Sequence, residues 1–409
     1  MNTQTRFVGL DVHRQFVMMA AVDTQQQVLF EAVKVPLDTF KAWARMHLQA
    51  TDQVALESTS NAWAVYDAVL PIVAEATVAD AHKISLISKS PRKTAQHDAL
   101  ILAKLLAANL LPAVWVPPQA VRELRSLIAH RRHLVRDRTA TKNRLHSVLH
   151  RHNLHLPQGD PFSEANRAWW QALALSSVEQ LRVRHELLHI QHLSQLIEEV
   201  EVEIAQLSAQ EPWCEQLAFL IQLPGVSWLS GMTILSAIGD VARFPGSRQL
   251  VGYSGLGASV HASGNTYRTG RITKQGRREL RTVLVECAWA AVRYSPFWKV
   301  RFERLRAQVG KQKAIVAIAR KLLVVIWHVL SKREVDRQAD PPAIARSLMK
   351  WASRYRMATS SGLSRPDFVW RELDRLGLGQ HINQFYYNGH LYVRQPNAPP
   401  VAREAAAST

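Results

Sequence analysis

Two long segments without glycine or proline set the strongest limit on how this chain of 409 residues can fold. The first covers the 38 residues between Pro118 and Pro157, and the second runs from Phe162 to Glu211. Because glycine and proline are the residues that most readily interrupt helices, each segment predicts one long helix or a pair of helices. The chain therefore needs a helical unit built around these segments.

The second segment carries a heptad pattern. Its apolar residues recur at alternating intervals of three and four, with Glu186 filling one position of the seam: Val183, Ile190, Leu193, Ile197, Val200, Ile204 and Leu207. Such a seam is typical of a dimerising coiled coil, and it fits equally well an antiparallel hairpin that packs on its own chain. Ser177, followed by Gln180 three residues later, predicts the start of this helix.

The N-terminal residues follow the shorter period of strands. Residues 6–34 are rich in β-branched and aromatic side chains and break at 23–26, which predicts an antiparallel meander of three strands. Helix patterns at about 38–49, 61–70 and 96–110 then alternate with short strands at 54–57 and 76–79. This order of elements is typical of the α/β ribonuclease H-like fold.

The remaining residues complete a four-part division. We expect a catalytic α/β domain at 1–115, a basic helix and coiled-coil region at 116–212, a mostly helical domain with a glycine-rich basic loop at 213–335, and a C-terminal extension at 336–409. The extension carries a helix pattern at about 341–354. Its last dozen residues, in a tail rich in proline and alanine, predict disorder.

The charge balance indicates a polyanionic partner. The chain has 51 lysines and arginines against 33 aspartates and glutamates, a formal net charge of +18 and a pI near 10.3. A surplus of this size repels itself unless a polyanion binds, so nucleic acid is the leading candidate. The alternative is a merely basic soluble protein, or one that touches anionic lipid, and the clustering of the surplus argues against it.

The surplus is concentrated in two stretches. Residues 122–155 hold nine lysines and arginines against two acids, and residues 293–321 hold nine against the single Glu303, interleaved with four aromatic residues. Basic residues mixed with aromatics are typical of nucleic-acid surfaces. With the basic run after Ser263 they give the candidate contacts to nucleic acid: Arg131, Arg132, Arg136, Lys142, Arg144, Arg268, Arg271, Lys274, Arg277, Arg278, Lys313 and Arg320.

The cysteines and the hydropathy of the chain indicate its cellular compartment. Cys214 and Cys287 match no zinc or redox spacing and fit a reducing cytosol. The first residues have no signal-peptide pattern, and no window of about 18 residues is apolar without charge. We therefore expect a soluble protein without a membrane span that works in the bacterial cytoplasm, on the DNA of the nucleoid.

Three acidic residues occupy positions that suit a metal site. Asp11 lies within an apolar strand, Glu57 ends another, and Asp98 lies in the first turn of a helix. In a ribonuclease H-like sheet these places converge on one edge of the two central strands, where carboxylates hold two Mg²⁺ (or Mn²⁺) ions at a phosphodiester. Simpler explanations exist: Asp11 pairs with His13 or Arg14, Glu57 is a strand-end charge, and the helix dipole favours Asp98. Because all three acids occur at these places on a strongly basic chain, a metal site is favoured over the simpler explanations.

A serine in a basic loop is the second candidate for chemistry. Ser263 precedes Gly264 and is followed by six basic residues up to Arg281. A hydroxyl in such a cationic field suits attack on a phosphodiester, since the cations stabilise the charge that develops. Alternatively the loop grips phosphate and Ser263 only bonds backbone, as serine often does. Upstream, residues 223–226 (Leu-Pro-Gly-Val) resemble one half of a helix-hairpin-helix, whose backbone N–H groups bind phosphate.

In their order and spacing, these residues resemble the DEDD insertion-sequence transposases (insertion-sequence family 110), relatives of the Piv-type DNA invertases. The resemblance covers about residues 6–332. It rests on the following motifs: Val8-Gly9-Leu10-Asp11-Val12, Leu56-Glu57-Ser58-Thr59, Arg92-Lys93-Thr94-Ala95-Gln96-His97-Asp98-Ala99, Thr139-Ala140-Thr141-Lys142-Asn143-Arg144, Leu223-Pro224-Gly225-Val226, Ala237-Ile238-Gly239-Asp240, Phe244-Pro245, Ser254-Gly255-Leu256, Ser263-Gly264, Gly270-Arg271-Ile272-Thr273-Lys274-Gln275-Gly276 and Lys313-Ala314-Ile315-Val316-Ala317-Ile318-Ala319-Arg320-Lys321-Leu322.

The resemblance implies an N-terminal RuvC-like domain with four acidic metal ligands, a coiled-coil insertion and a C-terminal transposase domain. It also implies that Ser263 forms a covalent phosphoserine link to DNA, and that the acids of one subunit work with the serine of another in a homodimer or homotetramer. A structured non-coding RNA would pair with donor and target double-stranded DNA, which leaves sequence choice to base pairing. We therefore expect an RNA-guided serine transposase or site-specific recombinase.

One position departs from the family's pattern. The helix motif Lys-Thr-Asp-x-x-Asp-Ala has Ala95 at its first aspartate, so only Asp11, Glu57 and Asp98 match. Loss of one carboxylate weakens a two-metal site, so either this copy is impaired or another group compensates, His97 being the nearest. The alternative functions are a RuvC-like nuclease or junction resolvase with a structural Ser263, and a non-catalytic nucleic-acid-binding protein.

Overall fold

The computed structural model describes residues 5–87, 94–264, 266–355 and 362–394. The chain divides into two compact units, Met1–Pro117 and Pro118–Thr409. The finer four-part division at 1–115, 116–212, 213–335 and 336–409 stays a prediction. The last dozen residues, for which the sequence predicts disorder, lie outside the described residues.

The first unit contains a mixed sheet of six strands in the order β3-β2-β1-β4-β5-β6. β1 pairs antiparallel with β2 and β2 with β3, whereas β1, β4 and β5 are parallel and β6 is antiparallel to β5. The strands are β1 (Phe7–Val12), β2 (Phe16–Val22), β3 (Val28–Pro36), β4 (Gln53–Glu57), β5 (Glu75–Ala79) and β6 (Ala113–Val114). The helices of this unit are α1 (Phe40–His47), α2 (Ala62–Val69), α3 (Ala81–Ile87) and α4 (Ala95–Ala107).

The two faces of this sheet bury different residues. Even-numbered residues of β1 such as Val8 and Leu10 pack with Phe40 of α1 and Val65 of α2 in the larger apolar cluster. On the other face α4 approaches closely, because a Cβ on Gly9 would overlap the backbone oxygen of Ala99 and lie 2.6 Å from the nitrogen of Ala103. Since strand residues alternate between faces, Gly9 and Asp11 both lie on the α4 side.

The strand pattern predicted most of this unit. The antiparallel meander, the two later strands and the helices at about 38–49, 61–70 and 96–110 are confirmed, with ends moved by a few residues. The sequence analysis missed α3 and the two-residue β6. Both are too short to show a hydrophobic period of their own.

The second unit is mostly helical. Its helices are α5 (Gln119–Arg151), α6 (Arg167–Gln171), α7 (Ser177–Ser208), α8 (Trp213–Ile221), α9 (Trp228–Ile238), α10 (Ser247–Ser254), α11 (Arg278–Tyr294), α12 (Pro296–Val309), α13 (Lys311–Lys332), α14 (Pro341–Tyr355) and α15 (Arg365–Arg375). Two hairpins accompany them, formed by β7 (Ala258–Ser263) with β8 (Thr266–Ile272) and by β9 (Gln384–Tyr387) with β10 (His390–Val393). The helix predicted at 341–354 is α14, whereas α15 and the β9–β10 hairpin were not predicted.

The heptad seam of α7 packs within the chain. Leu134 of α5 lies in one apolar cluster with Leu193 and Ile197, and Leu145 lies in another with Val183 and Ile190. The more N-terminal α5 residue meets the more C-terminal α7 residues, so the two helices run antiparallel. This is the hairpin that the sequence left open as an alternative to a dimerising coiled coil.

The start of α7 corrects a prediction. The N-cap is Ser176, whose hydroxyl accepts a hydrogen bond from the backbone of Glu179, and not Ser177. Gln180 instead donates from Nε2 to the backbone oxygen of Leu173 at 2.6 Å. The segment before it is also broken into a short α6 and turns, although it contains no glycine or proline.

Helix α13 is the one candidate for a membrane span among the described residues. Its length and composition would allow it to cross a bilayer, but half of its apolar window is buried inside the protein. Ile318, Leu322 and Ile326 are fully buried, and the helix packs against α10, α11 and α12. This burial is typical of a core helix.

Candidate functional site

Asp11 lies near the end of β1 and is only 7% exposed. Its Oδ2 lies 2.9 Å from Nε2 of His13, which realises the simpler explanation of an Asp11–His13 pair. The backbone oxygen of His13 accepts a hydrogen bond of 2.9 Å from Nδ2 of Asn61. Burial raises the pKa of Asp11 and Asp98 adds to the increase, while His13 acts in the opposite direction. A cation beside these two carboxylates would favour their ionised forms.

The register of the sheet brings Glu57 beside Asp11. Leu10 of β1 is opposite Leu56 of β4, so Asp11 and Glu57 follow as the next neighbours on these parallel strands. Residues opposite each other in parallel strands share a face, here the face that α4 covers at Gly9. Asp98 lies in the first turn of α4. The three predicted acids therefore come from adjoining ends of β1, β4 and α4.

The donor set fits a divalent cation in its chemistry. Carboxylate oxygens are the ligands that Mg²⁺ prefers, and the pKa of Asp11 is raised by burial and by the neighbouring Asp98, a shift that a bound cation would reverse. Within the described ranges, no group of three or more His, Cys, Asp or Glu side chains is close enough to hold a metal. Binding would thus require the side chains of Asp11, Glu57 and Asp98 to move together.

Ala95 begins α4 and takes part in an apolar contact. It packs against the cluster of Met18, Ala20 and Ala99, together with Phe16. Thr94 caps the helix by accepting a hydrogen bond of 3.3 Å from the backbone of His97. No aspartate stands at this first turn besides Asp98, and the His97 side chain remains half-exposed.

Ser263 lies at the tip of a β-hairpin, where the sequence analysis predicted a loop. It is opposite Thr266, and Gly264 adopts a φ of +55° in the connection. The β-forming residues of β8, such as Thr266, Tyr267 and Thr269, are interrupted by Arg268 and Gly270, so the sequence shows no regular strand period here. Ser263 is exposed, and within the described part of the chain its hydroxyl makes no hydrogen bond. The role of Ser263 stays a prediction.

One face of this hairpin combines the serine with basic side chains. His261 is opposite Arg268, two residues from the Ser263–Thr266 pair and therefore on the same face. Arg271 and Lys274 are exposed further along β8 and beyond its end. Of the basic run that follows Ser263 in the sequence, only Arg268 therefore lies next to the serine, whereas Arg271 and Lys274 lie toward the base of the hairpin.

The basic residues of α5 have partners within the chain. Arg131 pairs with Glu201 at 2.6 Å, and Arg132 pairs with Glu279 at 3.0 Å. Arg144 forms a bidentate ion pair with Glu186, with both hydrogen bonds at 2.7 Å. The other two candidates on α5 are Arg136, which is 75% exposed, and Lys142, whose Nζ lies 4.7 Å from the Phe162 ring centroid. Their role as nucleic-acid contacts stays a prediction.

The remaining candidates lie on the surface of α11 and α13. Arg277 is the N-cap of α11 and Arg278 its first residue. Lys313 and Arg320 are exposed and seven residues apart on α13, which puts them on one side of the helix. The Leu223–Val226 turn joins α8 to α9 as expected, but Gly225 packs against α11, where a Cβ would overlap the backbone oxygen of Cys287.

The sequence analysis named Arg277 as a candidate contact but missed its grouping with two further arginines around Tyr253. Arg277 donates from Nε to the Tyr253 hydroxyl at 3.0 Å, and the guanidinium of Arg243 lies 4.4 Å from the centroid of its ring. Arg125 donates from Nε to the backbone oxygen of Ser236 at 2.7 Å. These residues come from α5, the loop after α9, α10 and the start of α11, so no spacing in the sequence reveals them.

Two family models match this chain. One, described as a transposase and of the IS110 DEDD type, matches residues 8–154, and the other, described as the transposase IS116/IS110/IS902 family, matches residues 217–303. The first therefore covers the three candidate carboxylates and the second covers Ser263.

Two curated relatives are also described as transposases, and a third is described as a gene-inverting protein. The putative transposase y4qE of Sinorhizobium fredii is 31% identical over 274 residues, which are 66% of this chain and 67% of that protein. The transposase for insertion sequence element IS1111A of Coxiella burnetii is 26% identical over 60% of this chain and 68% of its own length. The pilin gene-inverting protein of Moraxella bovis is 25% identical over 81% of this chain and 98% of its own length. With these matches, the chain belongs to the IS110 family of transposases, enzymes that act on DNA.

Proposed function

We propose that this transposase cuts and rejoins DNA through a covalent phosphoserine intermediate at Ser263, assisted by a divalent metal at Asp11, Glu57 and Asp98. The observation that carries the proposal is the exposed hydroxyl of Ser263 at the tip of a basic hairpin, within a region that matches the transposase family. We also propose that the enzyme works in the bacterial cytoplasm on nucleoid DNA.

The N-terminal unit is, in this proposal, a ribonuclease H-like domain of the RuvC type. The strand order β3-β2-β1-β4-β5, with an antiparallel meander followed by parallel strands, supports this assignment. So does the location of Asp11, Glu57 and Asp98 at adjoining ends of β1, β4 and α4.

The three carboxylates would hold Mg²⁺ or Mn²⁺. When bound, the metal supplies positive charge to the oxygens of the reacting phosphodiester. Asp11 would be the central ligand because it is buried on the middle strand of the sheet, and Asp98 of α4 interacts with it electrostatically. The pairing of Asp11 with His13 holds the carboxylate in place in the absence of DNA.

The chemical step at Ser263 conserves the number of phosphodiester bonds. The serine oxygen forms a bond to phosphorus, the bond from phosphorus to one DNA oxygen breaks, and the serine proton passes to the released DNA hydroxyl. A hydroxyl of the exchanging strand then attacks the phosphoserine, returns a proton to the serine oxygen and forms the new DNA linkage. Arg268, on the same hairpin face, stabilises the charge that develops on the phosphate oxygens.

Partners follow from the resemblance and the charge. A formal net charge of +18 supports the binding of double-stranded DNA together with a structured guide RNA. We propose that the active form is a homodimer or homotetramer in which the acids of one subunit serve the serine of another.

The test is a covalent adduct assay with end-labelled DNA from the termini of the mobile element. We expect wild type to give a denaturant-resistant protein–DNA adduct, and Ser263→Ala to bind DNA and RNA normally but give neither adduct nor strand exchange. Thr269→Ala is the matched control, because it removes a hydroxyl from the opposite face of the same hairpin and should keep both activities.

Three outcomes contradict the proposal. If Ser263→Ala still carries out strand exchange, Ser263 has a structural role and is not the nucleophile. Metal-dependent nicking without an adduct indicates a nuclease or junction resolvase in which the carboxylates activate water. Binding without any cleavage by wild type indicates an inactive binding protein, which the replacement of an aspartate by Ala95 favours.

A further inference from the structure

Four side chains at the C-terminal end of α9 form a group with excess positive charge. Arg125 donates from Nη2 to the backbone oxygen of Ala237 at 3.1 Å, and the Tyr253 hydroxyl donates to the same oxygen at 3.2 Å. Arg243 donates from Nε to the oxygen of Ile238 at 3.0 Å. Arg277 completes the group through its bond to the Tyr253 hydroxyl. We call Arg125, Arg243, Tyr253 and Arg277 the arginine cluster.

The carbonyl groups of α9 do not balance this charge. A helix C-terminus carries about half an elementary negative charge, whereas the arginine cluster carries three positive charges. Burial and the neighbouring Arg277 and Arg243 lower the pKa of Arg125 to about 10. Asp240 also acts on Arg243, but more weakly than burial, Tyr253 or Arg277. Glu279 also interacts with Arg277, but it is shared with Arg132 at 3.0 Å. Three guanidinium groups therefore face two carboxylates, one of which already has another partner.

The cluster remains accessible to a ligand. All four residues are half-buried, and although Nη2 of Arg243 is itself buried, the residues as a whole are not enclosed. The Nη groups of Arg277 make no hydrogen bond to the described residues, since its side chain bonds only through Nε. Guanidinium groups present pairs of N–H donors that match the oxygens of phosphate, and a phosphodiester is the anion that a DNA-acting enzyme meets.

The cluster also lies at the base of the hairpin that carries Ser263. The backbone nitrogens of Lys274 and Arg277 donate to the oxygens of Gly255 and Tyr253 at 3.1 Å and 3.2 Å. From Ala258 at the base to Ser263 at the tip, β7 extends about 17 Å at about 3.3 Å per residue. That length corresponds to about five base-pair steps of DNA at 3.4 Å each.

We propose that the arginine cluster binds one backbone phosphodiester of the DNA, several base pairs from the phosphate that meets Ser263. The site anchors the DNA and leaves sequence choice to other contacts, because phosphate contacts position a duplex without reading bases. The binding of a phosphodiester rests on DNA as the partner of the family, and only the stated spacing rests on the proposed role of Ser263. Loss of anchoring and loss of the covalent adduct are therefore separate results.

The test compares the salt dependence of DNA binding for single variants of the full-length protein. Each phosphate contact contributes about 0.9 to the slope of log affinity against log salt concentration. We expect Arg277→Gln to lower this slope by about one and to weaken binding at low salt. Arg277→Lys should keep the slope but bind less tightly, because it retains the charge and loses the paired donors. Tyr253→Phe should also keep the slope and weaken binding, because the phenol only orients Arg277.

Arg346→Gln is the control, since it removes one exposed positive charge from α14, outside the cluster. Thermal melting of each variant separates misfolding from a lost contact, and Arg277→Lys tests the site if Arg277→Gln is unstable. If Arg346→Gln and Arg277→Gln lower the slope of log DNA affinity against log salt concentration by the same amount, only the overall charge matters. That result would overturn the proposal.

A second measurement identifies the source of the phosphate. Neutral methylphosphonate linkages are introduced one at a time in the DNA. At one position the linkage should weaken DNA binding by wild type and leave DNA binding by Arg277→Gln unchanged. If no position behaves in this way, the cluster does not bind DNA backbone. Two other results would also overturn the assignment. In the first, inorganic phosphate raises the melting temperature of wild type, but the salt-dependence slopes of DNA binding are the same for wild type and Arg277→Gln. In the second, Arg277→Gln weakens the binding of RNA and leaves the binding of DNA unchanged.

Discussion

Single residues decide whether the candidate metal site is complete, and Ala95 is the one that departs from the family pattern. It begins α4, one turn before Asp98, and packs against apolar residues of β2. We expect Ala95→Asp to tighten Mg²⁺ binding by about tenfold or more, the scale of changes around a metal, and to raise strand exchange. Strand exchange measured at several Mg²⁺ concentrations checks this.

Adding Asp11→Ala to the Ala95→Asp protein should remove the gain, because Asp11 is the buried ligand on the central strand. If the Ala95 protein is already fully active and Ala95→Asp is no better, a four-carboxylate site is wrong for this chain. His97 or water would then complete the metal shell, and His97→Ala becomes the deciding variant.

The two cysteines give a pH-dependent prediction. Burial raises the pKa of both Cys214 and Cys287 to about 11. Below that pH the thiols stay protonated, and at pH 8 only about one in a thousand is a thiolate, against roughly a quarter at the ordinary value of about 8.5. We expect alkylation by iodoacetamide to be ten- to a hundredfold slower in native than in urea-unfolded protein, as measured by mass spectrometry. A native Cys214 that reacts at the unfolded rate would contradict the pKa shift.

At the scale of elements, sequence periodicity was informative where an element buries one regular face. The strands of the first unit and the long helices α5 and α7 have such faces and could be predicted. The β7–β8 hairpin could not, because both strands are exposed on both sides and carry no apolar alternation. The acids and Ser263 could be proposed from motifs, whereas the arginine cluster depends on the packing of four separate segments.

The contact between β1 and α4 links packing to the candidate metal site. Gly9→Ala would force α4 away from the strand, because the new methyl group would meet backbone atoms of Ala99 and Ala103. We expect a loss of about 1–3 kcal/mol in the free energy of unfolding, measured by urea denaturation, together with weaker Mg²⁺ binding as Asp98 moves from Asp11. Gly252→Ala, at a position in α10 where a Cβ meets no atom within 4 Å, should leave the free energy of unfolding unchanged. Equal stability of the two variants would argue against the close approach.

The α5–α7 hairpin should depend on its apolar seam more than on its ion pairs. Leu145 is fully buried between the helices, and Leu145→Ala is expected to lower the free energy of unfolding by about 2–5 kcal/mol. Glu186→Gln breaks the exposed pair with Arg144 and should cost less than about 1 kcal/mol. Denaturation monitored by circular dichroism compares them. A larger effect of Glu186→Gln would mean that charge holds the hairpin together.

At the scale of the whole molecule, the positive surplus exceeds what internal ion pairs use. Several arginines of α5 are paired with glutamates, yet the chain retains a formal net charge of +18. The hairpin at Ser263, the exposed side of α13 and the arginine cluster are basic surfaces at separate places in the second unit. Such a distribution suits a partner larger than one short DNA site.

The protein purified from its host should therefore carry one specific structured RNA. Its binding should weaken steeply with salt, because each neutralised phosphate releases bound counterions. Sequencing of the co-purified RNA, from cells that express the gene with its flanking DNA, measures the enrichment. Ser263→Ala should carry the same RNA, since guidance does not need the nucleophile. RNA of random sequence, or its absence when the flanking DNA is present, would leave the transposase family intact and remove RNA guidance from the mechanism.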